Sequence, residues 1–134
     1  HCLAITVDGA VWSWGSGAFG MLGHGNQQDQ LPPKKVGALA GRRVVAVSAG
    51  RRHSLARAAD GAVFTWGEGE TGCLGHGEDL SDQLLPKKIE AFAGQRVVAV
   101  SAGVVHSLAI TADGAIFTWG GGEAGCLGHG EELS

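Results

Sequence analysis

The chain repeats its own sequence about every 53 residues, and this feature constrains its fold more than any other. Four short motifs recur in the same order in each copy: a His-x-Leu-Ala segment, Asp-Gly-Ala, Trp-Gly and Leu-Gly-His-Gly. Residues 53–81 and 106–134 are identical at 23 of 29 positions. The chain therefore divides into a first repeat at 1–52, a second at 53–105 and the first half of a third at 106–134.

Each copy carries the pattern of short strands joined by turns. Apolar runs flank Asp8-Gly9, Asp60-Gly61 and Asp113-Gly114, and an Asp-Gly pair in this setting predicts a hairpin, because both residues can take positive φ. The Gly-rich and acidic stretch at 67–82 predicts a long surface loop. No segment predicts a helix longer than a turn or two. The strands predicted in the middle copy are 53–58, 62–66, 86–90 (with proline first) and 96–102.

Repetition of four short antiparallel strands in about 50 residues is typical of β-propeller blades. One such sheet cannot bury both faces alone, so neighbouring sheets must stack against it. Strands rich in alanine permit close approach, and the tryptophan of each Trp-Gly motif is predicted to fill the space between blades. The predicted fold class is therefore all-β, with blades of four antiparallel strands.

The order of the motifs resembles the repeats of the regulator of chromosome condensation family. The similarity runs through His-Ser-Leu-Ala, Asp-Gly, Trp-Gly and Leu-Gly-His-Gly to Pro-Lys-Lys, and it covers the whole chain. It implies a ring of seven blades in which each sequence repeat is offset against the structural blade. Two and a half repeats cannot close such a ring, so we expect a partial β-propeller that is a fragment of a longer protein.

Charge and cysteine content narrow the class of protein. The net charge of −3 combines +4 in residues 1–60 with −7 in residues 61–134, which argues against direct nucleic-acid binding.

Three cysteines at wide spacing do not form a disulfide framework and favour a reducing, intracellular compartment. The resemblance implies the nucleus or the cytoplasm. An organelle stays open, because the sequence does not begin with methionine and a targeting signal could lie upstream. No apolar run reaches the roughly 18 residues of a membrane span.

Two Cys-x-x-His segments, at Cys73 and His76 and at Cys126 and His129, raise the question of zinc. The first repeat has Met21 at the position of Cys73, which indicates an apolar structural position, so we expect no metal. The histidines that recur in every repeat are interpreted as hydrogen-bonding posts for the loop of each blade. Because no nucleophile–base pair, carboxylate dyad or phosphate-binding turn before a helix is present, we expect neither an enzyme nor a cofactor.

One position changes its chemistry between nearly identical copies. The two residues before the repeat histidine are Arg51 and Arg52 in one copy and Val104 and Val105 in the next. We expect all four on loops at one face of the propeller, where they form a candidate partner-binding site. Ordinary drift between blades is the alternative explanation.

Other charged residues have simpler explanations. The basic pairs at 34–35, 42–43 and 87–88 could form basic patches, but such pairs are more often solvated strand edges, and we interpret them so. The acidic stretches at 78–82 and 131–132 could attract a basic partner.

These observations favour a non-enzymatic scaffold for protein–protein interaction, since propeller loops form large rigid surfaces. The expected partner is another protein, such as a small GTPase or a large complex. Two alternatives stay open. The resemblance implies a guanine-nucleotide exchange factor for a Ran-like small GTPase, and a peripheral subunit of a large assembly would also suit a partial propeller.

Overall fold

The computed structural model describes residues 1–70, 73–77, 79–92, 94–104 and 106–120. These residues form ten strands and three single 3-10 turns, so the all-β prediction is confirmed. The 3-10 turns are Ala18–Gly20, Gly37–Leu39 and Glu90–Phe92. The strands are β1 (Cys2–Ile5), β2 (Val11–Gly15), β3 (Gln30–Lys35), β4 (Val44–Ala49), β5 (His53–Ala58), β6 (Val63–Gly67), β7 (Gln83–Lys88), β8 (Val97–Ala102), β9 (His106–Thr111) and β10 (Ile116–Gly120).

The strands form three antiparallel sheets, which are consecutive propeller blades. Blade 1 has the order β1-β2-β3, blade 2 the order β4-β5-β6-β7, and blade 3 the order β8-β9-β10. Blade 2 takes β4 from residues that precede His53, where the second sequence copy begins. The offset between repeat and blade that the family resemblance implied is therefore present in this sheet.

The hairpins turn at the Asp-Gly pairs, as predicted, but only the glycine takes positive φ. Gly9 has φ 87°, and its amide donates to the Thr6 carbonyl at 2.9 Å. The carboxylate of Asp8 accepts hydrogen bonds from the Thr6 hydroxyl and, at 3.4 Å, from the Ala10 amide. The aspartate thus stabilises the loop through its side chain, and the glycine alone supplies the left-handed conformation.

The third strand of the middle copy is longer than predicted. It begins at Gln83, three residues before Pro86, and the proline lies in its interior. This is tolerated because β7 is the outer strand of blade 2, where an amide pointing away from the sheet needs no acceptor.

The long connection between β6 and β7 is not purely a surface loop. Cys73 and Leu74 are only 2% and 1% exposed. Residues 79–82 are exposed, so part of the predicted loop belongs to the interior and part to the surface.

The core consists of the two junctions between blades. Val11, Val36 and Leu39 of blade 1 pack against Phe64 and Trp66 of blade 2. At the second junction, residues of blade 2 pack on Val97 and Ala109 of blade 3. The Trp66 indole is fully buried against Gly23 of blade 1, which confirms that this tryptophan fills the space between blades.

The strands give each blade two ends. At one end lie the Asp-Gly turns and the segments 36–43 and 89–96, and we call this end the turn face. At the other end lie the connections 50–52 and 103–104 and the long loops that follow β2 and β6, and we call it the loop face. Among the described residues, no helix has the length and apolar character needed to cross a membrane.

Candidate functional site

The histidine that begins each repeat links two blades through a serine. His53 Nε2 lies 3.0 Å from Ser107 Oγ, and this hydroxyl donates to the Cys73 carbonyl at 2.7 Å. Because the serine proton is used in that bond, the serine accepts from the protonated Nε2 of the histidine. His1 and Ser54 repeat the arrangement at the first junction, at 2.8 Å. These histidines therefore hold neighbouring blades together, whereas the sequence interpretation had placed them as posts within one blade.

The imidazole of His53 is neutral in the folded protein. Its side chain is completely buried, and this burial lowers its pKa from 6.5 to about 4. Among the described residues, Nδ1 has no hydrogen-bond partner. A general base needs a group that orients it and a reactant within reach. The roles that the structure shows for His53 are packing in the interior and the hydrogen bond to Ser107.

The loop histidines act as predicted. His24 Nε2 lies 2.9 Å from the Ser13 hydroxyl, and His76 Nε2 lies 2.9 Å from the Thr65 hydroxyl. Burial lowers the pKa of both imidazoles. Thr65 in turn donates to the Leu74 carbonyl at 2.6 Å, so each loop is attached to the strand beside it.

Cys73 and His76 point to different partners. The Cys73 thiol lies 3.3 Å from the Glu68 carbonyl oxygen, to which it donates, while His76 binds Thr65. Within the described residues, no three His, Cys, Asp or Glu side chains are grouped so as to hold a metal ion. The second pair, Cys126 and His129, lies outside the described residues.

The residues of the candidate partner-binding site occupy two adjacent connections on the loop face. Arg51 and Arg52 lie between β4 and β5, and Val104 lies between β8 and β9. A Cβ atom built on Gly50 would lie 2.5 Å from the Gly103 carbonyl oxygen, so the two connections touch. Arg51 is exposed and Val104 is 56% exposed. Val105 lies outside the described residues.

The two arginines have different surroundings. Arg52 Nη1 lies 3.5 Å from Glu68 Oε2, and the Arg52 guanidinium carbon lies 5.3 Å from the centroid of the Phe19 ring. The Glu68 side chain is 8% exposed against 48% for Arg52, so the arginine neutralises a nearly buried carboxylate. Arg51 forms no ion pair with any described residue. Arg51 is the arginine whose charge is free for a partner.

The partnership of Arg52 with Glu68 escaped the sequence reasoning, although a signal was present. Glu68 stands where the other copies have Ser16 and Gly121. Arginine at position 52 and glutamate at position 68 therefore occur together in one copy and are both absent from the next. The presence of an arginine at position 52 is therefore explained by its contact with Glu68 within the protein.

Replacing Arg52 by alanine is expected to lower the free energy of unfolding by about 1–2 kcal/mol, because Glu68 would lose its counter-charge. Urea unfolding at neutral pH measures the loss. Adding Glu68→Gln should restore most of the stability, and Arg51→Ala should change it by less than about 0.5 kcal/mol. Equal losses for Arg51→Ala and Arg52→Ala would contradict this assignment.

The acidic loop is largely engaged with its own surroundings. Asp79 forms an ion pair with Lys87 at 3.0 Å, and Asp82 accepts a hydrogen bond from the Gly69 amide at 3.1 Å. Hydrogen bonding by Ser81 and Lys87 holds the pKa of Asp79 well below its usual range. These two carboxylates stabilise the loop from within.

Comparison with known proteins identifies the repeats. The family model described as "Regulator of chromosome condensation (RCC1) repeat" matches residues 8–57 and 60–110. The E3 ubiquitin-protein ligase HERC2 of Homo sapiens is 45% identical over 132 residues, which are 97% of this chain and 3% of that protein. The ultraviolet-B receptor UVR8 of Arabidopsis thaliana is 40% identical over 131 residues, which are 98% of this chain and 30% of the receptor.

Solved structures agree with this fold. Human WBSCR16 superposes with a TM-score of 0.81 at 32% identity, over 88% of this chain and 30% of that one. Prp20p of Saccharomyces cerevisiae, whose structure was described together with its binding to Gsp1p and histones, superposes with a TM-score of 0.86 at 26% identity. That match covers 99% of this chain and 34% of Prp20p. The chain thus spans only a small part of each of these relatives.

Proposed function

Since the chain belongs to the family of regulator of chromosome condensation repeats, we propose that it is a non-enzymatic scaffold that binds another protein on its loop face. The proposed binding residues are Arg51 and Val104, with the adjoining Arg52 and Val105; Arg52 offers its exposed surface, while its charge is paired with Glu68. The observation that carries the proposal is the juxtaposition of exposed Arg51 with exposed Val104 on touching connections. The blades beneath them are held by buried packing and by the His–Ser hydrogen bonds.

The chemistry of these residues suits a partner that presents a carboxylate beside an apolar side chain. A guanidinium donates charge-assisted hydrogen bonds to carboxylates in a fixed geometry. Val104 adds apolar surface within reach of the same partner. An intracellular protein fits the odd number of widely spaced cysteines.

The test compares variants of the full-length protein in quantitative affinity purification from its own cells. Combining Arg51→Ala with Val104→Ser is expected to reduce recovery of a loop-face partner about tenfold or more, with an unchanged melting temperature. Lys88→Ala, an exposed change on the turn face, is the matched control and should leave recovery unchanged. A partner retained by the double variant and lost with Lys88→Ala would contradict the proposal.

Guanine-nucleotide exchange on a Ran-like small GTPase is the second candidate. It is favoured by the similarity to Prp20p, whose structure was described with its binding to Gsp1p. Release of a fluorescent guanine nucleotide from such a GTPase tests it directly. An unchanged rate with the full-length protein supports the scaffold, and an accelerated rate supports exchange. A fixed stoichiometry within a large complex would instead support the third alternative, a peripheral subunit.

A further inference from the structure

A cleft on the turn face of blade 1 concentrates positive charge. It has a volume of about 270 Å³ and is lined by Lys35, Arg42, Arg43 and Asp8, with Val36 among its apolar residues. The three cations form no ion pair with any described residue. Three positive charges against one carboxylate leave an excess of +2 around the cleft. Such an excess at an open cleft favours an anionic ligand.

Among the described residues, Asp8 carries the one negative charge of the cleft and forms no ion pair with the arginines. Its Oδ1 atom accepts hydrogen bonds from the Thr6 hydroxyl and the Ala10 amide, and these bonds, the Thr6 bond first, hold its pKa below the usual range. The arginines therefore keep their donors for a ligand.

The two arginines are held in place by blade 2. The guanidinium carbon of Arg42 lies 5.1 Å from the centroid of the Phe64 ring, so the ring supports the face of the guanidinium. The carbonyl of Arg43 accepts a hydrogen bond from the Ala59 amide at 2.8 Å. With the guanidinium face occupied, the N–H groups at its edge are available to an anion. Neither arginine lies on a strand, so the interpretation of 42–43 as a solvated strand edge was wrong.

Blade 2 supplies an internal comparison. Its equivalent cleft, of about 250 Å³, is lined by Lys88, Arg96 and Asp60, but Gln95 replaces Arg42. Its excess charge is only +1. The charge therefore does not continue from blade to blade, as it would for a surface that follows a nucleic-acid backbone. A single cleft of this size and charge suits one small dianionic group.

We propose that the blade 1 cleft binds a phosphoryl group carried by a serine or threonine of a protein partner. A phosphoryl ester carries a charge of about −1.5 to −2 at pH 7, which matches the excess in the cleft, and Arg clusters recognise such groups through bidentate hydrogen bonds. A peptide carrier is favoured over a free anion because Val7, next to Asp8 at the tip of the turn, is fully exposed and offers apolar contact beside the cleft.

The proposed cleft and the loop-face site lie at opposite ends of the strands. Val44 begins β4 at the turn face, and Ala49 ends it at the loop face. Five steps of about 3.3 Å separate the two sites by roughly 17 Å. Occupation of one site leaves the other accessible, so the two proposals stand independently.

The test uses calorimetric titration of the full-length protein with a capped peptide that carries one phosphoserine and no other charge. The unphosphorylated peptide, inorganic phosphate and a short DNA duplex are the comparison ligands. The phosphopeptide is expected to bind, and Arg42→Gln should weaken it about tenfold or more. Arg42→Gln introduces the residue that blade 2 carries at this position. Arg96→Gln in the blade 2 cleft is the matched control and should have no effect.

Several results would overturn the proposal. They are equal binding of the two peptides, binding of inorganic phosphate as tight as that of the phosphopeptide, or binding of the duplex that depends on Arg42 while the phosphopeptide does not bind. Should Arg42→Gln disturb the blade junction, Lys35→Gln provides the second variant, because Lys35 is exposed on the edge strand β3. Phosphopeptide affinity unchanged by Lys35→Gln and by Arg43→Gln would also reject the site.

Discussion

Replacing Trp66 by alanine is expected to lower the free energy of unfolding by about 3–5 kcal/mol, the range for a large buried aromatic residue. Its side chain is completely buried, and it fills the junction between blades 1 and 2 together with Phe64, Val36 and Leu39. Removing the indole opens a cavity in the apolar cluster between the two sheets. Urea unfolding of the full-length protein measures the loss.

Two further variants separate burial from hydrogen bonding. Trp66 Nε1 has no hydrogen-bond partner among the described residues, so Trp66→Phe should retain most of the stability. Leu85→Ala shortens an exposed apolar side chain on β7 of the same blade and should cost less than Trp66→Ala. If Leu85→Ala proves equally damaging, the junction between blades is not where Trp66 exerts its effect.

Acidification is expected to weaken the protein between about pH 6.5 and pH 4, in large part through His53. Burial lowers the pKa of this imidazole from 6.5 to about 4. Above pH 6.5 the imidazole is neutral in both the folded and unfolded states, and its contribution to stability does not change. Between the two values the unfolded chain takes up a proton that the folded protein excludes, so stability falls as the pH falls. By about pH 4 the loss reaches roughly 3 kcal/mol.

The measurement is the urea midpoint of the full-length protein at several pH values from 4 to 7. His24 and His76 have pKa values lowered by burial too, so the parent protein includes their contributions. The variant His53→Gln isolates the contribution of His53. Its amide nitrogen can still donate to Ser107, but the amide does not take up a proton on acidification. The variant should be less stable at pH 7 but show a shallower decline on acidification. An unchanged slope would show that His53 is not protonated on unfolding.

Local chemistry explains why the blade pattern was predictable. An Asp-Gly turn depends on four or five consecutive residues, and the strands on either side keep their periodicity in all three copies. The start of β7 was not predictable in the same way. Proline at position 86 is a local signal for a strand start, but the strand's position at the sheet edge makes the proline tolerable in its interior. Whether a strand lies at the edge of its sheet depends on how the whole sheet is assembled and cannot be read from the residues of that strand alone.

The candidate site shows a similar division. Comparison of the two copies was sufficient to single out Arg51 and Val104, because they differ among identical neighbours. The contact of Arg52 with Glu68 joins residues 16 positions apart, which the pairing of β5 with β6 brings side by side. The contact of Arg42 with Phe64 joins a connection to a strand 22 positions away. Both contacts depend on how the strands are arranged in the fold. Comparison of the repeats therefore identified the exposed positions that vary between copies. It did not identify the side chains that come into contact only in the folded protein.

The position of β4 bears on how such a protein can gain or lose repeats. Blade 2 is closed by a strand that the preceding copy encodes, so the boundary between copies runs through a sheet. If a genetic duplication inserts one whole period, the inner strand of the old copy pairs with the outer three strands of the new one. The new copy's own inner strand then pairs with the copy that follows it. Every sheet stays complete wherever the duplication begins, provided that its length is a whole number of periods. A duplication of any fractional length is penalised by the same overlap, because it leaves an incomplete sheet.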